Sequence, residues 1–118
     1  MRAKDAVGRY GEDVAVRHAL ALGWTVLDRN WRCPDGELDL VALDGTELVV
    51  VEVKTRRSQR FGHPAVAVTA EKLARLRRLT ARWLAAHDVR PASVRVDVVA
   101  IVVPGRGAAQ VDHLVGVI

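Results

Sequence analysis

Four charged side chains stand inside two strongly apolar stretches: Glu37 and Asp39 in GELDLVAL (36–43), and Glu52 and Lys54 in ELVVVEVKT (47–55). Two acids thirteen residues apart, with a lysine two residues after the second, suit one kind of chemistry. Carboxylates that close repel each other, and ionising both in a partly dry site is costly unless a cation sits between them. A hard divalent ion such as Mg²⁺, or Mn²⁺ in its place, prefers oxygen ligands and commonly takes one or two carboxylates together with water and substrate phosphate. Lys54 beside it could hold a phosphate, lower the pKa of an attacking water, or stabilise charge in a transition state. The set suits hydrolysis of a phosphodiester. The bare acid-x-Lys triplet is commonly no more than a same-face ion pair on an edge strand, so the surrounding elements decide between the two readings.

The two strands read as a hairpin around Asp44-Gly45, a strong two-residue turn signal. That turn sets Leu43 against Thr46, Asp39 against Val50 and Glu37 against Glu52, because paired positions in an antiparallel ladder sum to a constant. Side chains alternate, so Asp39, Val50, Glu52 and Lys54 project to one side, and Leu38, Leu40, Val49, Val51 and Val53 form an apolar surface on the other. A four-residue loop keeps that parity. A three-residue loop moves Asp39 to the face of Val51 and breaks the cluster.

Around this hairpin the periodicity predicts a first helix from about residue 3 to 22, with Val7, Tyr10, Val14, His18/Ala19 and Leu22 at helical spacing and Gly23 as its stop. WTVLDRNW (24–31) reads as a strand, followed by turn chemistry in Cys33-Pro34-Asp35-Gly36. From Thr69 to about His87, Leu73, Leu76, Leu79/Thr80 and Trp83/Leu84 trace a second helix with Thr69 as N-cap. SVRVDVVAIVV (93–103) is a buried strand, and QVDHLVGVI after Pro104-Gly105-Arg106-Gly107 adds an edge strand at most. The order is helix, three strands, helix, strand.

A chain of 118 residues with 50% hydrophobic and 27% charged residues is one ordinary domain and not a disordered one. MRAKDAVGRYGED has no apolar signal core, and the longest apolar runs fall far short of the roughly 18 residues of a membrane span, so a cytoplasmic location with no membrane contact is expected. The single cysteine, Cys33, forms no internal disulfide and has no CxxC spacing. His18, His63, His87 and His113 lack metal-ligand spacing, and Trp24, Trp31 and Trp83 lie in apolar patterns that suit a core.

At this point the residues reach a resemblance. Asp39 followed by Glu52-Val53-Lys54, inside that element order, resembles the PD-(D/E)XK restriction-endonuclease-like superfamily, which includes Holliday-junction resolvases. The wider string GRYGEDVA (8–15), NWR (30–32), GELDLVA (36–42), VVEVKTR (50–56), FGHPAVAVTAEK (61–72) and VRVDVV (94–99) is similar to the YraN family of uncharacterised bacterial proteins along nearly the whole chain. One departure is Val96, where relatives commonly carry an aromatic. The resemblance implies an α/β restriction-endonuclease-like core, a central mixed sheet flanked by helices. It also implies that Asp39 and Glu52 are metal-binding acids, Lys54 the catalytic lysine, and Glu12 the helical glutamate that joins them. Glu37 has two readings, a ligand of a second metal or water and a partner for an arginine.

Charge distribution leads to the same place. Net charge is +4, and between residues 56 and 82 Arg56, Arg57, Arg60, Lys72, Arg75, Arg77, Arg78 and Arg82 face the single acid Glu71. Arg75, Arg78 and Arg82 form one stripe opposite the leucines of the second helix, which taken alone is an ordinary solvated face. Arg56, Arg57 and Arg60, however, leave the strand directly after Lys54, so a nucleic-acid backbone tracking them, with Lys72, would be delivered to the acids. The expectation is a metal-dependent nuclease acting on DNA, branched or single-stranded. The alternative is a non-catalytic nucleic-acid-binding module of a repair or processing assembly, and the short chain leaves room for a homodimer or a partner protein.

Overall fold

The computed structural model describes residues 6–57 and 69–117. Its elements are α1 (Ala6–Ala21), β1 (Thr25–Cys33), β2 (Gly36–Asp44), β3 (Glu47–Arg56), α2 (Ala70–Ala86), β4 (Ser93–Val102) and β5 (Gln110–Leu114). The five strands form one sheet in the order β1-β2-β3-β4-β5, antiparallel except for the parallel pair β3–β4. The mixed α/β architecture matches the expected order, and the tail does add β5 at an edge. Among the described residues no helix is long and apolar enough to cross a membrane.

Each helix covers one face of the sheet, and the strand residues sort between them by alternation. Val14, Ala15 and Ala19 of α1 pack with Leu40, Ala42, Val49, Val51, Val99 and Ile101. Leu76, Leu79 and Trp83 of α2 pack with Val41, Leu48, Val50 and Val96 on the other face. Fully burying side chains of this size is worth about 1.5–3 kcal/mol each, so the two clusters fix which face of β3 is which. α2 begins where the hydroxyl of Thr69, in extended conformation, accepts a hydrogen bond from the Lys72 backbone N–H at 3.1 Å. α1 comes unusually close to the sheet at Gly11, where an added Cβ would lie 1.9 Å from Oγ1 of Thr55 on β3.

Two expectations need correction. Asp44 pairs with Glu47 and Leu43 with Leu48, so the two-residue turn is Gly45-Thr46 and the ladder is displaced from the expected pairing of Leu43 with Thr46. Gly45 has φ +62°, the left-handed conformation that such a turn requires and glycine adopts without strain. The displacement is even, so the faces of the β3 residues are those expected. Leu38 is the second correction: it joins the α2-side cluster with Val41, while Leu40 joins the α1-side cluster. Regular alternation would put both leucines on one face. The break falls at Asp39, opposite a β1 segment in which Asn30 has φ +51° and the pairing slips between Val26 and Asp28.

Candidate active site

The break at Asp39 is where the site begins. The β2–β3 ladder runs from Asp44↔Glu47 to Leu40↔Val51, and one residue further the Asp39 side chain takes over: its Oδ2 accepts the Val53 backbone N–H at 2.9 Å. A carboxylate thus replaces a strand carbonyl as the acceptor, and it is anchored on the residue that separates Glu52 from Lys54. Val50 faces α2, so alternation carries Glu52 and Lys54 to that side as well.

Glu52 is 8% exposed. Its Oε1 receives two ammoniums, Lys54 Nζ at 3.4 Å and Lys72 Nζ at 3.0 Å, the second reaching in from the first turn of α2. Burial pushes the Lys54 ammonium below the ordinary lysine range, the hydrogen bond and charge of Lys72 push the same way, and Glu52 opposes both. A lysine that is both partly dry and near another cation gives up its proton more readily than a solvated one.

The expected carboxylates are not all gathered here. Glu37 forms an ion pair with Arg32 of β1 at 2.8 Å, the second of its two readings. Glu12 is buried, at 7% exposure, next to the Gly11–Thr55 crossing. Glu12 belongs to α1, the helix over the Thr55 face of β3, and Lys72 to α2, the helix over the other face. Among the described residues no three His, Cys, Asp or Glu side chains meet closely enough to hold a metal ion between them. By donor type, Asp39 and Glu52 fit Mg²⁺ or Mn²⁺ with water and phosphate completing the shell. By charge, Glu52 already faces two ammoniums.

The basic residues divide similarly. Arg75 and Arg78 are exposed on α2 opposite buried Leu76 and Leu79, and Arg82 on the same stripe is paired with Asp35 in the β1–β2 turn. Arg56 and Arg57 are exposed at the end of β3. Arg60 and His63 lie outside the described residues. Lys72 is the member whose place differs most from its expectation as a backbone contact. The signal was in the spacing: Lys72, Leu76, Leu79 and Trp83 fall at i, i+4, i+7 and i+11, so the lysine sits on the buried stripe of α2.

A second polar cluster went unassigned in the sequence. Asp97, at the centre of β4, is 0% exposed. It accepts hydrogen bonds from Arg95 Nε (3.1 Å), the Gly116 backbone N–H (2.8 Å) and His113 Nε2 (2.7 Å), and the other ring nitrogen of His113 lies 3.0 Å from Nε2 of His18 on α1. Burial works against the Arg95 charge, but hydrogen bonds to Asp97, Glu47 and Asp44 outweigh it and raise its pKa above the usual arginine range. The Trp24 ring, 5.2 Å from the Arg95 guanidinium carbon, closes the cluster. An aspartate in the middle of an apolar strand was the available signal.

Comparison with known proteins finds similar chains whose names carry no activity. The family described as "Uncharacterised protein family UPF0102" matches residues 11–101. A UPF0102 protein of Beutenbergia cavernae is 66% identical, with 99% of each chain covered. One of Kineococcus radiotolerans is 64% identical over 99% of this chain and 97% of its own, and one of Frankia alni 60% identical over 98% and 97%.

Proposed function

Because this chain belongs to the uncharacterised UPF0102 family, the one its motifs pointed to as YraN, and that family name carries no activity, we propose a function from the geometry: a metal-dependent hydrolase of phosphodiester bonds in nucleic acid, DNA first. The observation that carries the reading is the hydrogen bond from Val53 N–H to Asp39, which brings a carboxylate from within one strand, where its ladder to the next ends, to the Glu52-Val53-Lys54 segment. A structural ion pair on an edge strand would need neither the broken ladder nor a central position in the sheet.

In this reading Asp39 and Glu52 hold Mg²⁺ or Mn²⁺, which supplies Lewis-acid stabilisation of phosphate charge and a more acidic water. Lys54 faces the same point and stabilises the negative charge that builds on the phosphate as water adds and the leaving oxygen departs. Lys72 offers a second cation within the site. Glu12, buried on α1, is the further acid of this reading. Arg56, Arg57, Arg75 and Arg78 bind the backbone without reading sequence. Arg82 contributes less, because Asp35 already neutralises part of its charge.

The two ammoniums on Glu52 also support the second reading, a nucleic-acid-binding module without chemistry, since such a site accepts a phosphate more readily than a free dication. One experiment separates them: purified protein with Mg²⁺ or Mn²⁺ on linear, flapped and four-way DNA and on RNA, beside Asp39→Ala. Cleavage by the parent alone supports the hydrolase. Salt-dependent binding by both proteins with no cleavage by either supports the module and overturns the enzyme.

A further inference from the structure

Lys72 holds the shorter of the two ion pairs on Glu52, and it is fixed at both ends. Its backbone N–H donates to the Thr69 cap, and its ammonium ends on Oε1 of Glu52 at 3.0 Å with 18% of the side chain exposed. A cation meant for the phosphate backbone of a bound polymer is ordinarily solvated when the polymer is absent. This one already has a partly buried partner.

We propose that Lys72 is a tethered counter-ion that occupies the Glu52 carboxylate until nucleic acid binds, and that yields this carboxylate to a divalent ion when a substrate phosphate arrives to receive its ammonium. The inference rests on the reading of Asp39 and Glu52 as the ion's ligands. Glu52 already carries the Lys54 and Lys72 ammoniums, so a dication entering the site alone meets two positive charges on its own ligand. In a partly dry site that repulsion is large compared with its value in water. A phosphodiester contributes the missing negative charge and gives the displaced lysine a new partner. Ion and polymer therefore bind more tightly together than apart, and the coupling is reciprocal. The consequence is a hydrolase that stays without its ion while it is without substrate.

The test is calorimetric titration of Mn²⁺ into the full chain as parent, Lys72→Met and Lys72→Arg, with and without a cleavage-resistant phosphorothioate oligonucleotide. Without oligonucleotide, Lys72→Met should bind Mn²⁺ about tenfold tighter than the parent or more, since one nearby positive charge is gone. Lys72→Arg keeps the charge and should follow the parent. Oligonucleotide should tighten Mn²⁺ binding to the parent, and to Lys72→Met by a smaller factor. Equal Mn²⁺ affinity of the parent and a folded Lys72→Met, or a parent whose Mn²⁺ affinity ignores oligonucleotide, would overturn the proposal. If Lys72→Met fails to fold, the two parent titrations decide alone. Absence of Mn²⁺ binding by every protein in both conditions would instead remove the ion-site reading itself.

Discussion

Replacing Asp97 by asparagine keeps the size of a fully buried side chain and changes only its charge and half its hydrogen-bonding capacity. Oδ1 accepts from Arg95 and from Gly116 N–H, and Oδ2 from the His113 ring, so whichever way the amide turns, an N–H₂ group points at a donor. Arg95 also loses a buried counter-charge, although Glu47 at 2.7 Å and Asp44 at 3.1 Å remain. Removing one partner from a buried charge costs about 3–5 kcal/mol. The two remaining acids are partly exposed and compensate in part, so about 3 kcal/mol is the expected loss. For a domain of this size that corresponds to a fall in melting temperature of roughly 10–15 °C. Far-ultraviolet circular dichroism melts of parent and Asp97→Asn measure it directly. A melting temperature within about 3 °C of the parent would refute the claim that this aspartate ties β4, β5 and the tail together.

Three further outcomes follow from separate contacts. Gly11→Ala should destabilise by about 1–3 kcal/mol, because the new Cβ overlaps Thr55, and adding Thr55→Ala, which removes the nearest atom, should recover part of the loss; additive effects in chemical denaturation would show that the two positions do not touch. Burial first, and His113 second, hold the His18 pKa below its ordinary 6.5, so the unfolded chain takes up that proton more readily; stability should fall as pH drops from 6.5 toward the lowered folded value, and His18→Gln should flatten that slope in melts between these limits. An unchanged slope would place the titration elsewhere. Arg75→Gln and Arg78→Gln should each flatten the dependence of log K for DNA on log salt by roughly 0.7–0.9, while Arg82→Gln should do less because of Asp35, an order that fluorescence anisotropy across a salt series can read or contradict.

The elements were legible in the sequence because their signals are strong: Thr69 caps α2, the apolar VVVEV run fixes β3, and VDVVAIV fixes the buried part of β4. Pairing was less legible. Asp44-Gly45 and Gly45-Thr46 both place a glycine inside a two-residue turn, and only the Asp44–Glu47 pairing distinguishes them. Leu38 and Leu40 could not be assigned to different faces from a period-two pattern, since the break between them falls at Asp39, whose side chain bonds the Val53 backbone on the neighbouring strand. The same limit explains the site. Acid-Val-Lys on β3 is a local pattern, but the meeting of Lys72 with Glu52 joins residues twenty apart, and its only local trace is a lysine on the leucine stripe.

The parallel pairing of β3 with β4 has a consequence for the order of assembly. β1, β2 and β3 are joined by two tight turns, so this meander can close through short loops, whereas β4 reaches β3 only after α2 has crossed between them. Loop-closure entropy makes the local hairpins early and the parallel partner late. On a chain synthesised from its N-terminus, Leu48–Val53 therefore emerges and folds with one side of its backbone unpaired, and it remains a sticky edge until residues 93–102 arrive. A chain truncated at residue 92 should retain the meander and associate through β3, visible as concentration-dependent light scattering that the full chain does not show.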